Sequence, residues 1–209
     1  MKNRILSLLL ALVMLFSLTS CFLFPDNQNG NGGTAQKTVY DTLGDLTKLS
    51  YSTVSVNVST ETDGIELFAE YILRQNTVEY KIEELCLLPE DGNISGVSPS
   101  YKTTVSGTAE VKNGQIIKLD GASVTLPSYE TLVGAFNFDK QNFKNAEEPT
   151  SGVGIFRADV ASPASFLGRS TSAKNMRVTV DFASDALKTV TLTYDTDLSS
   201  VSIVYQFQK

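Results

Sequence analysis

From residue 176 onward, apolar and polar positions alternate with a period of two. Over 176–183, Val178, Val180 and Phe182 alternate with Arg177, Thr179 and Asp181. Over 188–195, Val190, Leu192 and Tyr194 alternate with Thr189, Thr191, Thr193 and Asp195. Over 200–208, Val201, Ile203, Tyr205 and Phe207 alternate with Ser202, Val204, Gln206 and Gln208. Successive strand side chains point to opposite faces, so each stretch predicts a half-buried strand. Short connections predict an antiparallel meander with Val204 as the one apolar residue on the polar face. The same alternation occurs earlier: Val54, Val56 and Val58 in 51–60; Ile65, Leu67, Ala69, Tyr71 and Leu73 in 64–75; Val78, Tyr80 and Ile82 in 77–88. A turn at Gln75-Asn76 makes the last two a hairpin. Residues 103–112 and 115–119 flank Asn113-Gly114, a pair suited to the type I′ turn, whose two central residues need positive φ. Asp120-Gly121 offers a further turn into Ala122–Leu126.

Three stretches change period. Val39, Leu43, Leu46 and Leu49 recur at helical spacing and predict a short helix over 39–49. Ser128 caps a helix with a core face of Tyr129, Leu132, Val133 and Phe136. Ser162-Pro163 starts a one-turn helix that carries Phe166 and Leu167 inward. Val153, Ile155 and 157–160 read as a strand. Residues 89–101 read as loop, and 137–152 are polar and favour neither strand nor helix.

The N-terminal segment follows a different logic. Lys2 and Arg4 precede the apolar run Ile5–Phe16, broken only by Ser7. As a helix this run spans about 18 Å, short of a hydrocarbon core of roughly 30 Å. It suits an export signal better than a permanent span. Leu18-Thr19-Ser20-Cys21 resembles the bacterial lipobox. The resemblance implies cleavage before Cys21, a diacylglyceryl thioether on that cysteine, and a protein held at a cell membrane or envelope on its extracytoplasmic side. Two acyl chains hold a protein stably on a bilayer, at about 0.8 kcal/mol per buried methylene. Residues 22–37, with Pro25 and a run of Asn and Gly, read as a flexible tether. The expected organisation is therefore a signal peptide over 1–20, a lipidated cysteine and tether over 21–37, and one globular domain over 38–209.

Charge and composition exclude several functions. The formal charge is −6, and removal of residues 1–20, which carry Lys2 and Arg4 and no acid, takes it to −8. An acidic chain with no basic run argues against nucleic acid as a partner. There is no histidine. Ser-His-Asp and Cys-His catalysis and histidine metal sites are thereby excluded. Cys86 is the only cysteine besides Cys21, so neither an internal disulfide nor a cysteine zinc cluster is available to the mature chain. Its setting, Leu85-Cys86-Leu87-Leu88 behind Glu83 and Glu84, suits a buried small hydrophobe and lacks the positive neighbour that activates a thiol.

Other constellations read as structure. Asp195-Thr196-Asp197 opens like a calcium loop, but Ser200 and Gln206 stand where glycine and glutamate are required, so a turn explains it. Glu66 and Glu70 share a strand face with Arg74. Paired carboxylates can hydrolyse glycosides only across a cleft, and charges on a solvated strand face are commoner. Gly152-Val153-Gly154 is too short for a phosphate loop. Tyr71, Tyr80 and Tyr205 fit core packing. No catalytic, metal or cofactor residue is expected, and the reading is of a non-enzyme.

These elements predict an α+β fold: a single curved antiparallel sheet with short helices on its apolar face. That plan resembles the half-barrel lipoproteins of the LolA, LppX and LprG type, through the tether, the helix at 39–49, the early meander and the closing one. The resemblance implies a cavity between sheet and helices for acyl chains, and hence a membrane-anchored protein that binds lipid or another apolar ligand. The alternative is a structural or protein-interaction module with a fully packed core.

Overall fold

The computed structural model describes residues 37–62, 65–86, 100–118, 126–150 and 153–209. The expected signal peptide over 1–20, lipid-bearing Cys21 and tether up to 36, the turn at Asp120-Gly121, and most of the loop at 89–101 and of the stretch 122–126 lie outside these residues.

The chain forms one antiparallel sheet of ten strands. Helix α1 (Val39–Leu46) precedes β1 (Thr53–Thr62), β2 (Ile65–Arg74), β3 (Thr77–Cys86), β4 (Ser100–Lys112) and β5 (Gln115–Lys118). Helix α2 (Tyr129–Val133) and a 3₁₀ turn (Lys140–Asn142) lead into β6 (Phe143–Glu147) and β7 (Gly154–Val160). Helix α3 (Pro163–Leu167) then precedes β8 (Lys174–Phe182), β9 (Leu187–Asp195) and β10 (Ser200–Gln208). The spatial order is β5-β4-β3-β2-β1-β10-β9-β8-β7-β6. Two meanders of five strands thus run outward from a central seam, where β1 pairs with β10 from Thr53–Gln208 to Glu61–Ser200. This is the expected α+β fold.

Alternation fixes the faces. Every inward residue expected in the closing meander is buried, from Val178 through Val190 and Ile203 to Phe207. They join one core with Val54, Val56 and Val58 of β1, Leu67 to Leu73 of β2, and Val78, Tyr80 and Ile82 of β3. Tyr71, Tyr80 and Tyr205 all lie in that core. The helices complete it with Val39, Tyr40, Leu43 and Leu46, then Leu132, then Phe166 and Leu167.

Local chemistry sets the helix ends. Thr38 caps α1: its hydroxyl accepts from the Asp41 amide at 3.2 Å, and the Thr38 amide donates back to the Asp41 carboxylate at 3.0 Å. The Thr38 hydroxyl, which donates to the same carboxylate at 2.6 Å, and then the Thr38 amide hold the Asp41 carboxyl below its usual range. The helix stops at Leu46, where Thr47 donates to the Gly44 carbonyl at 2.8 Å. Leu49, which the periodicity placed on the helix face, is therefore 41% exposed. Ser128 caps α2, and Gly134 ends it at φ 70. A side chain at Gly134 would sit 2.7 Å from the Phe136 ring, so the chain turns there and delivers Phe136 to the core from outside the helix. Asn113 and Gly114 take the expected positive φ, 52 and 71.

Two stretches depart from the sequence reading. The apolar markers Val153, just before β7, and Ile155 within it are exposed, and Phe156, Ala158 and Val160 carry the buried face. The polar stretch 137–152 contributes Phe138 to the core and supplies edge strand β6. Its turn is held by buried Asn142, whose amide donates to the Asn137 carbonyl at 3.1 Å while its own carbonyl accepts from Ala161 at 2.7 Å.

An aromatic cluster fills the space between the sheet and α1, α2 and α3. Phe136 stacks on Phe166 at 5.5 Å and meets Tyr205 edge-on at 5.1 Å. Phe143 meets Phe166 at 5.4 Å and Phe156 at 5.5 Å, and Tyr40 meets Phe156 at 5.7 Å. Each such pair contributes about 0.5–1.5 kcal/mol beyond burial. Tyr205 also donates to the Thr131 carbonyl at 3.2 Å, and Arg169 donates to the Thr131 hydroxyl at 2.8 Å, which ties α2 and the α3 end to the seam.

Ile203 is 3% exposed at the seam, while Thr191 stands on the opposite face. Truncating Ile203 to alanine is expected to cost about 2–5 kcal/mol, and Thr191→Ala about 0.5 kcal/mol or less. Urea unfolding of both variants checks this. Equal small effects would contradict the facing of the whole meander.

Candidate functional site

The face away from the helices is polar, and cross-strand register orders it into rows. One row runs Lys144, Asp159, Arg177, Thr193, Ser202, Ser59 across β6, β7, β8, β9, β10 and β1. The next row runs Lys174, Asp195, Ser200, Glu61, Glu66. With strands about 4.8 Å apart, the first row is roughly 24 Å long. These residues line an open groove of about 850 Å³ at one end of the sheet. A second hollow, about 510 Å³, adjoins it around Asn57, Ser59, Phe68, Glu70, Lys81 and Val204.

The groove is shaped by one device used twice. In β6, Lys144-Asn145 sits at a break in register with β7, and Asn145 adopts φ 52. In β8, Lys174-Asn175 sits at a break in register with β9, and Asn175 also adopts φ 52. Asparagine tolerates this left-handed conformation better than most residues. Each bulge re-aims a side chain, as bulges beside binding sites commonly do. Asn145 donates to Asp159 at 2.8 Å, and Asn175 donates to Asp195 at 3.1 Å. Arg177 Nε adds a bond to Asp159 at 3.2 Å, and the Ser200 hydroxyl adds one to Asp195 at 3.1 Å. Both carboxylates are thereby held in fixed orientation beside the groove floor.

The electrostatics follow from these bonds. The Asn145 amide, assisted by the nearby Arg177 charge, holds the Asp159 carboxyl below its usual range. Lys174 pairs with Asp197, which lowers the Asp197 carboxyl and raises the Lys174 ammonium. Tyr194 borders the groove from the inner side, and burial pushes its phenol up to about 12.

The residues singled out from sequence separate across the structure. Glu66 stands opposite Glu61 and lines the larger groove, whereas Glu70 pairs in register with Asn57 and Lys81 and lines the smaller hollow. The two carboxylates do not flank one cleft. Arg74 forms an ion pair with Glu79. Asp195 to Ser199 is a turn: the Thr196 amide donates to the Ser199 carbonyl at 2.8 Å, and its hydroxyl accepts from the Ser199 amide at 3.0 Å. Among the described residues no three acidic or cysteine side chains converge as a metal site. Cys86 ends β3, opposite Ile65. The groove residues Asn145, Asp159 and Asn175 were not singled out by the sequence reading. The recurring Lys-Asn dipeptide at 112–113, 144–145 and 174–175 is the signal that marks them.

No protein-family model matches the chain, and no curated protein does. Among solved structures, 82% of the chain is similar to 83% of a chain described as "GphF Dehydratase 1", at 11% identity and a TM-score of 0.19. A likeness that loose carries no argument about fold or chemistry.

Replacing Asn145 with glycine keeps the left-handed backbone and removes the amide. The Asp159 pKa is expected to rise toward the ordinary carboxylate value, as read by carboxyl NMR titration. Its lowered folded-state pKa means that Asp159 contributes stability above the unfolded pKa, lost as pH falls through the folded one. In Asn145→Gly that contribution shrinks. An unchanged Asp159 pKa would show that the bulge does not hold the carboxylate.

Proposed function

We propose that this chain is a lipid-anchored, extracytoplasmic, non-enzymatic binding module with a packed core, working through the polar groove on its outer face. The observation that carries this reading is the filled interior. The space where a half-barrel lipoprotein would hold acyl chains is occupied by Phe136, Phe138, Phe143, Phe156 and Phe166 in mutual ring contact. The larger groove lies at the end of the sheet, with the polar face on one side and Pro163 and Tyr194 on the other, and the smaller hollow lies among outer-face residues. Anchoring is supported by Lys2, Arg4, the run Ile5–Phe16 and Leu18-Thr19-Ser20-Cys21. Among the described residues no helix is long and apolar enough to cross a membrane.

One observation favours the second reading, a lipid or apolar-ligand carrier. The hydroxyls of Thr60 and Tyr71 are buried on the inner face with no hydrogen-bond partner among the described residues. Each such orphan costs about 1–3 kcal/mol, and a ligand head group would relieve it. Burial alone holds the Tyr71 phenol well above its usual range.

Mass spectrometry of the full chain purified in mild detergent tests both parts. Under denaturing conditions the wild type should carry a diacylglyceryl mass on Cys21, and Cys21→Ser should not. Under native conditions neither protein should retain a further, non-covalent lipid. Retention of the covalent mass in Cys21→Ser would refute the anchor. A stoichiometric non-covalent lipid would replace the packed module with the carrier.

A further inference from the structure

The outer groove has the character of a site for one class of ligand, and we propose that it binds an uncharged glycan in extended form. The inference rests on the reading of the groove as the working surface and adds what occupies it.

Four properties point there. First, the groove of about 850 Å³ lies in the size range of small-ligand sites, yet its floor is hydroxyl-bearing rather than apolar. Thr193, Ser202 and Ser59 stand side by side across β9, β10 and β1. A hydroxyl donates and accepts, so a row of them complements a ligand whose own groups do both, as sugar hydroxyls do.

Second, the charges around it nearly cancel. Glu61, Glu66, Asp159 and Asp195 face Lys144, Lys174 and Arg177, four acids against three bases. Asp159 is bonded to Arg177, and Lys174 to Asp197. A single-signed patch is what concentrates a polyelectrolyte, and once Arg177 is paired with Asp159 and Lys174 with Asp197 the groove keeps only a small acidic excess at Glu61, Glu66 and Asp195. A neutral ligand loses nothing by that balance.

Third, Asp159 and Asp195 are pre-organised by the two asparagine bulges. Each carboxylate has lone pairs beyond those taken by its Asn, Arg or Ser partners. Fixing acceptors before binding lowers the entropic cost of engaging vicinal hydroxyls.

Fourth, the floor excludes the main alternative for an extended polymer. A peptide commonly binds by adding a strand to a free sheet edge. Strands β8, β9, β10 and β1 are each paired on both sides, so their backbone groups are already used. Along this floor, inward of edge strand β6, recognition passes through side chains, which suits a glycan better than a peptide.

The test uses the full chain in mild detergent, titrated by calorimetry with chitohexaose and cellohexaose as uncharged probes. A decalysine peptide and a sulfated oligosaccharide serve as charged probes. Saturable binding of an uncharged oligosaccharide is expected at about millimolar affinity or tighter. Thr193→Trp, which fills the exposed floor, should weaken it at least about tenfold while the unfolding midpoint stays unchanged. Asn175→Gly should weaken it severalfold with the backbone conformation preserved. Failure of both neutral oligosaccharides to saturate at roughly 10 mM would overturn the proposal. So would binding untouched by Thr193→Trp, or tighter, salt-sensitive binding of either charged probe. None of these outcomes bears on the anchor or the packed core, which the mass measurement tests separately.

Discussion

The antiparallel pairing of β1 with β10 is the constraint on which the rest of the molecule depends. It joins residues about 150 positions apart and, among the described residues, is the one strand pairing between two meanders that are otherwise built from neighbours in sequence. Closing so long a loop carries an entropic penalty that grows slowly with length, and it must be met before the contacts form. The compensation sits at the seam itself. Val54 faces Phe207, Val56 faces Tyr205 and Val58 faces Ile203 on the inner side, all buried. Without this pairing each meander would expose an apolar face and a free edge, the arrangement that promotes aggregation.

Both faces of the sheet inherit their form from the seam. On the inner side, Tyr205 anchors α2 through the Thr131 carbonyl and supports the Phe136–Phe166 stack. On the outer side, Ser202 and Ser59 meet across it and complete the groove floor that begins on β6. The groove thus exists only once β1 and β10 are joined in one sheet. The two asparagine bulges work on that continuous surface, turning two carboxylates toward a floor that several strands share.

Much of the fold was legible because a half-buried strand writes its facing into the sequence. Val178, Val180 and Phe182, and later Val201 to Phe207, announce both strand and face by alternation alone. The alternation is silent about strand order, so the β1–β10 seam could not be read: many registers bury the same valines. Helix α1 ends before Leu49 because the chain beyond Leu46 tightens into i→i−3 bonds, Lys48 to Asp45 and Leu49 to Leu46, which the apolar spacing does not encode. Strand β6 was missed because its outward residues Lys144, Asn145, Ala146 and Glu147 carry no apolar rhythm, as expected of a protected edge. The groove was illegible for a related reason. Ser59, Thr193 and Ser202 each read as an ordinary solvated position, and only the register sets them side by side. The bulges had a visible but unread signal in Lys-Asn, the pair that precedes or forms each left-handed position occupied by a residue other than glycine among the described residues.

Amide hydrogen exchange under native conditions tests most directly whether the seam holds the molecule together. If the two meanders are stable only as one sheet, the interior amides of β1 and β10 exchange only through global unfolding. Amides of β2 and β9 should then show the same opening free energy and the same denaturant dependence. An opening free energy for β8, β9 and β10 clearly different from that of β1, β2 and β3 would mean that the halves are separate cooperative units, and would contradict the account.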